Sequence, residues 1–284
     1  MIKQLAANKH GRDFVCGDIH GSFSCVERFL EGINFQPEDR LICAGDLVDR
    51  GPENEKCLDL LYEPWFESVK GNHEALMEAY YARQGFGEWW APNGGGWGTQ
   101  YRAESSDKAT HIRDTITELV TKLPYLITVE KKGGGRFHVL HAELHCGYDE
   151  VITDETLSNW DTMKAAALAN DSNGEMIIWG RYAFGPMCRV ELTDHMVGKI
   201  RRGAEMGRTN RLYNPALSHI YSGHTIVQKP VTFYGQTNLD TQAFGSYRAD
   251  APAWNGLTIT EPETGKFWLV NDRTFTETSP VIIN

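Results

Sequence analysis

No run in the 284-residue chain reaches 18 consecutive apolar residues, which excludes a helix long enough to span a bilayer. The six cysteines (Cys16, Cys25, Cys43, Cys57, Cys146 and Cys188) form no C-x-x-C pair or other zinc-like spacing, so they read as small core residues. The opening segment MIKQLAANKHGRDF lacks the basic and apolar regions of a secretory signal, and a cytoplasmic location is expected. Basic charge is scarce as well. A net charge of −10 argues against a nucleic acid duplex as partner, and any anionic substrate must be attracted locally. Internal repeats and low-complexity tracts are missing too. What remains, with 41% hydrophobic and 23% charged residues, is a globular chain of one α/β domain.

Short apolar runs alternate with amphipathic segments through the first half, the pattern of βαβ units feeding a largely parallel sheet. Strands are expected at Phe14–Cys16, Leu41–Ala44 and Phe66–Val69, with helices at Phe23–Ile33, Glu53–Leu61 and Glu74–Arg83. The stretch GFGEWWAPNGGGWGTQY concentrates glycine and tryptophan and reads as a structured loop. Thr110–Leu123 reads as a helix, and Tyr125–Glu130 with Arg136–His141 as a hairpin. Residues 145–176 read as an insertion, and 246–284 as a C-terminal extension. Strand patterns at Ile177–Trp179, His219–Ser222, Val231–Tyr234, Leu257–Thr260 and Phe267–Val270 suggest that a second, more antiparallel sheet follows the first.

Each of the first three strands ends in a glycine-flanked polar loop: G-D-I-H-G, G-D-L-V-D-R-G-P and G-N-H-E. Open α/β sheets bind ligands at that edge. Asp18, His20, Asp46, Asn72, His141 and His224 are of the types that hold divalent metals without thiolate, which suits Mn²⁺, Fe²⁺ or Zn²⁺. Taken singly, each aspartate is a helix cap and each histidine a satisfied polar group. Spacing changes that reading. Asp18 to Asp46 is 28 residues and Asp46 to Asn72 is 26, each about the length of a βαβ unit, so successive strand tips converge on one site.

This triplet, followed by histidines in H-A-E and G-H-T contexts, resembles the PPP-family metallophosphoesterases, in particular the phage lambda and bacterial serine/threonine protein phosphatases. The match is dense over residues 12–76 and sparse to about 245; the ENEKCLDLLYEPWFESVKGNHE and NGGGW stretches point to the phage and bacterial branch. The resemblance implies a metallophosphoesterase fold, two mixed sheets flanked by helices, with two divalent ions, Mn²⁺ first among them, at the sheet edge. It implies that Asp18 and His20 hold the first ion, that Asp46 bridges both, and that Asn72, His141 and His224 complete the second. Ions so placed share a water, lower its pKa and set it in line with phosphorus. By the family pattern His73 is the general acid, Asp49 orients it, and Arg50 and Arg181, with Asn72, meet the phosphate oxygens. The implied substrate is a phosphoprotein or phosphopeptide on serine or threonine, in a cell or, if phage-encoded, in the host cytoplasm. A diadenosine tetraphosphatase or other nucleotide hydrolase, and a non-catalytic phosphate-binding module, stay as rivals.

The chain departs from the family in two places near the site: Lys70 stands where relatives carry arginine, leaving a positive charge there, and Gln242 stands where D-T-G has glycine. His141 is preferred over His138 because it shares the face of Phe137 and Val139, whereas His145 reads as a surface residue. Gly223 favours His224 over His219. Trp89, Trp90 and Trp97 cover core or line a groove, with core the simpler reading, and Arg201 and Arg202 sit on a solvated helix face.

Overall fold

The computed structural model describes residues 2–144, 152–159, 176–205 and 216–283. His145, Cys146 and most of the expected 145–176 insertion lie outside the described residues. The order begins β1 (Ile2–Leu5), β2 (Asp13–Cys16), α1 (Phe23–Gly32), β3 (Arg40–Cys43), α2 (Asn54–Asp59), β4 (Phe66–Ser68) and α3 (Asn72–Tyr81). It continues with α4 (Asp107–Glu118), β5 (Leu126–Glu130), β6 (Arg136–Leu140), α5 (Asp154–Ser158), α6 (Met176–Trp179) and α7 (Asp194–Glu205). The last strands are β7 (Ile220–Ser222), β8 (Val231–Phe233), β9 (Gln236–Asn238), β10 (Leu257–Glu261), β11 (Lys266–Val270), β12 (Phe275–Thr278) and β13 (Val281–Ile283).

Two mixed sheets result, β12-β11-β10-β2-β3-β4 and β1-β5-β6-β7-β9-β8-β13. The parallel β2, β3 and β4 agree with the βαβ spacing. Three expectations need correction. The second sheet does not follow the first along the chain, because β1 pairs with β5 inside it while β10 returns to pair with β2. Nor is it more antiparallel: four of its strand pairs are parallel and two, β5–β6 and β8–β9, are antiparallel. Within the expected C-terminal extension, β10 sets Ile259 opposite Cys16 and so supports the strand that runs into Asp18. Ile177–Trp179, read as a strand, lies in the helical turn α6; three apolar residues cannot distinguish the two by period.

Packing follows from strands buried on both faces, which need apolar residues in succession rather than alternation. Val15, Ile42, Ala44 and Val69 meet Ile127, Val129, Phe137 and Val139 in a layer joining the two sheets. Phe14, Cys16, Leu41 and Cys43 face the other way, onto Phe29, Leu58 and Leu76 of the helices. Among the described residues no helix is long and apolar enough to cross a membrane.

Candidate metal centre

The C-terminal ends of β2, β3 and β4 deliver the three polar loops, and the ends of β6 and β7 deliver His141 and His224 across the layer between the sheets. Contact between the two groups is direct: His141 Nδ1–H donates to Ala44 O at 2.8 Å. His138, on the opposite face of β6, hydrogen-bonds Thr128 and Asp154 instead, and His219 bonds Thr237. Gly223 is required here because a Cβ at that position would lie 1.8 Å from Asp18 Oδ1.

Asp46 stands in the middle. Its carboxylate lies 3.5 Å from His20 Nε2, 3.4 Å from His141 Nε2 and 3.8 Å from His73 Nε2. His20, Asp46 and His73 form one group of potential ligand atoms, and Asp46, His141 and His224 another. Asp18 sits at the margin, 3.9 Å from His20 Nε2, and accepts the His224 backbone N–H on both oxygens at 3.0 and 3.1 Å.

The expected ligand histidines are each tied by the ring to a backbone group, His20 to Val48 O at 2.8 Å, His141 to Ala44 O and His224 to the Trp179 backbone. For His20 and His141 this places the proton on Nδ1 and turns the Nε2 lone pair inward. A consequence is that His141 Nε2 faces Asn72 Oδ1 at 2.9 Å, two acceptors with no proton between them. His224 Nε2 is buried with no hydrogen-bond partner among the described residues. Buried lone pairs that converge on one another cost several kcal/mol unless a donor or a cation meets them. The donor set of imidazole, carboxylate and amide oxygen fits a borderline divalent ion.

Electrostatics point the same way. Burial pushes His20, His141 and His224 below the ordinary imidazole range, so they are neutral and able to ligate. Burial alone would raise Asp46, but the surrounding imidazoles outweigh it and hold the carboxylate well below its usual value. Asp18 is pushed up by burial, then by Asp240 and Asp46. His73 differs from the other three: burial lowers it, yet Asp46 and the hydrogen bond to Asp49 bring it above the ordinary value.

Three carboxylates that sequence reasoning passed over hold the scaffold. Glu74 Oε2 accepts the N–H groups of Asp46 and Gly71 at 2.8 and 2.9 Å, and Oε1 accepts that of Leu47 at 2.8 Å. Burial and Asp46 raise Glu74 to about 7. It fixes a loop in which Asp46, Asp49 and Arg50 all have positive φ, a conformation costing about 1 kcal/mol or more for each residue with a Cβ. Glu143 accepts the backbone N–H groups of Tyr182 and Ala183, and so anchors the turn after Arg181. Asp240 is buried beside Asp18, raised by burial to about 6, with Oδ2 unpartnered among the described residues. Glu74, at the third position of α3 after Gly71, carried a legible signal, since a glutamate there reaches back to the helix start.

Arg50 donates to His20 Nε2 at 2.7 Å and to His73 Nε2 at 2.8 Å. Arg181 is exposed and donates to His224 O at 3.1 Å, so both arginines border the centre. Lys70 does not. Its ammonium is buried against Glu78 at 2.6 Å and Thr121 O at 3.1 Å, and adds no positive charge to the site. Arg201 and Arg202 are exposed on α7, as expected, and Trp90 is core whereas Trp89 is 68% exposed.

Residues 14–228 match the calcineurin-like phosphoesterases. The chain is 29% identical over 245 residues to serine/threonine-protein phosphatase 1 of Salmonella typhimurium, a match covering 86% of this chain and 92% of that one. It is 30% identical over 241 residues to serine/threonine-protein phosphatase 2 of the same organism, covering 82% and 88%. A solved cold-active protein-tyrosine phosphatase of a psychrophilic Shewanella species superposes with a TM-score of 0.52 at 15% identity, over 98% of this chain and 82% of that chain, a likeness of fold.

Proposed function

The chain belongs to the calcineurin-like phosphoesterases, a family of metal-dependent hydrolases, and on that premise we propose that it hydrolyses phosphoserine and phosphothreonine in proteins. One observation carries the reading: the lone pairs of His141 Nε2, Asn72 Oδ1 and His224 Nε2 gather around Asp46 without a donor among them. Asp18, His20 and Asp46 would hold one divalent ion, and Asn72, His141 and His224 a second that shares Asp46. We take both to be Mn²⁺, with Fe²⁺ and Zn²⁺ as alternatives. Bound ions supply a water of lowered pKa and neutralise charge on the phosphate.

The remaining steps belong to side chains of this chain. Arg50 and Arg181, with Asn72, meet the non-bridging oxygens; guanidinium suits that task because its fork matches two oxygens at once. His73 gives a proton to the departing alkoxide. Its Nδ1 is committed to Asp49 at 2.6 Å, so Nε2 is the nitrogen that would carry the proton to the leaving group once Arg50, which now donates to it, turns to the phosphate oxygens. The two Salmonella relatives, which match nearly end to end, favour a phosphoprotein substrate, and so does an exposed aromatic rim of Trp179 and Tyr182 beside Arg181.

The test compares a phosphoserine peptide, a phosphotyrosine peptide and diadenosine tetraphosphate on chelated and on Mn²⁺-restored protein. Turnover of the phosphoserine peptide that disappears on chelation and returns with Mn²⁺ supports the reading. Faster cleavage of diadenosine tetraphosphate would make the chain a nucleotide hydrolase, and no cleavage of any of the three with Mn²⁺ bound would make it a phosphate-binding module.

A further inference from the structure

The glycine- and tryptophan-rich stretch folds into short 3-10 segments, Gly85–Trp89, Ala91–Asn93 and Gly95–Arg102, packed against α3 and the Asp49–Arg50 turn. Trp90 is fully buried and its indole N–H donates to Asp49 Oδ2 at 2.8 Å. The Trp97 indole N–H donates to Asp49 Oδ1 at 2.7 Å. The third contact to this carboxylate is His73 Nδ1, 2.6 Å from Oδ2. Asp49 is itself fully buried, has φ of +78°, and has its own N–H held by Asn54 Oδ1 at 2.7 Å.

Glycine is what admits the indoles. A Cβ on Gly95 would lie 2.2 Å from the Trp90 ring, and Gly94, at φ of +115°, rests against the backbone of Arg50 and the Cβ of Asp49. The arrangement solves a specific problem. A buried carboxylate needs donors, but a lysine or arginine there would bring a further positive charge within reach of a cationic site. An indole N–H is a neutral donor on a rigid, apolar body, so it steadies the charge and the orientation together.

We propose that Trp90 and Trp97 are positioning residues for His73: they fix the plane of the Asp49 carboxylate, and that carboxylate fixes the imidazole with Nε2 toward the leaving group. This rests on the reading of His73 as general acid. Trp97→Phe and Trp90→Phe keep an aromatic ring at each position and remove the N–H donor together with the second ring of the indole. With Mn²⁺-loaded enzyme, each should lower kcat for phenyl phosphate about 10-fold and for p-nitrophenyl phosphate less than about 3-fold, because only the former ester needs its leaving group protonated. KM and bound Mn²⁺ should not change. Equal loss on both esters, no loss on either, or a change confined to KM overturns the proposal.

His73→Asn separates the two levels. If it slows both esters equally, the acid reading falls and the positioning role with it; if it discriminates between them and the tryptophan variants do not, positioning alone falls. A second readout needs neither metal nor turnover. In protein labelled with ¹⁵N-tryptophan, Asp49→Asn removes the acceptor from at least one indole, so at least one of the eight indole N–H resonances should move upfield. A spectrum with all eight in place contradicts the contact.

Discussion

Replacing Glu74 by glutamine should loosen the centre without touching any proposed ligand. The wild-type carboxylate accepts three backbone N–H groups, two on one oxygen and one on the other. Glutamine offers a single oxygen, and its NH₂ must then face at least one of those donors. Losing a hydrogen bond to a charged acceptor costs about 1.5–3 kcal/mol, and the buried N–H left behind adds about 1–3 kcal/mol. A destabilisation of about 3–4 kcal/mol is therefore expected, set against a total of about 5–15 kcal/mol for a native protein, so the variant still folds. Because the affected donors belong to Gly71, Asp46 and Leu47, the loop carrying Asp46 should relax from its positive-φ conformation. Mn²⁺ affinity should then fall about 10-fold or more. Urea denaturation of the metal-free protein at pH 8, above the value of about 7 for Glu74, measures the first effect, and calorimetric Mn²⁺ titration the second. A loss under about 1 kcal/mol together with unchanged Mn²⁺ affinity would refute the reasoning.

Arg181→Ala should raise KM for a phosphopeptide about 10-fold and weaken inhibition by free phosphate in parallel, with little change in Mn²⁺ binding; unaltered phosphate inhibition in steady-state assays would remove Arg181 from the site. His219 supplies a pH test away from the proposed metal positions. Burial, helped by Lys131, lowers its ring to about 4, so its contribution is fully present above about 6.5 and is lost as pH falls toward 4, where the unfolded chain takes up the proton first. The full gap corresponds to about 3 kcal/mol, and partial exposure of the residue reduces that to about 1–2 kcal/mol. His219→Gln keeps a polar group against Thr237 and cannot titrate in this range. Between pH 7.5 and 4.5 the metal-free wild type should lose about 1–2 kcal/mol more than the variant by urea denaturation, and parallel pH slopes would contradict the assignment.

The strand tips were legible in the sequence for a physical reason. Strands β2 and β3 are buried on both faces, so each writes an uninterrupted apolar run that stops abruptly at a Gly-Asp loop, whereas β4, FES, was marked mainly by the Gly-Asn-His-Glu loop that follows it. Strands β1, β9 and β12 were not legible. IKQL, QTN and FTET are short and polar enough to pass for loop, and Gln236–Asn238 is buried because its side chains bond backbone; Asn238 Nδ2 donates to Gly223 O and Thr225 O on either side of His224. Sheet assignment was hidden as well, since pairing of β10 with β2 joins residues more than 240 apart and leaves no local pattern. Around the centre, aspartate and histidine announced themselves through motif spacing. Glu143 and Asp240 did not, because a carboxylate that accepts backbone N–H groups carries no spacing of its own, and Glu74 had only its place as the third residue of α3 to mark it. The tryptophans were read by bulk, and their indole N–H groups, which reach Asp49, went unweighed.

A crystal of the protein grown or soaked with Mn²⁺, measured at the manganese absorption edge, addresses the proposed dinuclear centre itself. Two anomalous peaks about 3.5–4 Å apart are expected, with the Asp46 carboxylate between them, His20 Nε2 on one and the Nε2 atoms of His141 and His224 on the other. A single peak, or a pair of peaks that Asp46 does not bridge, would contradict the account.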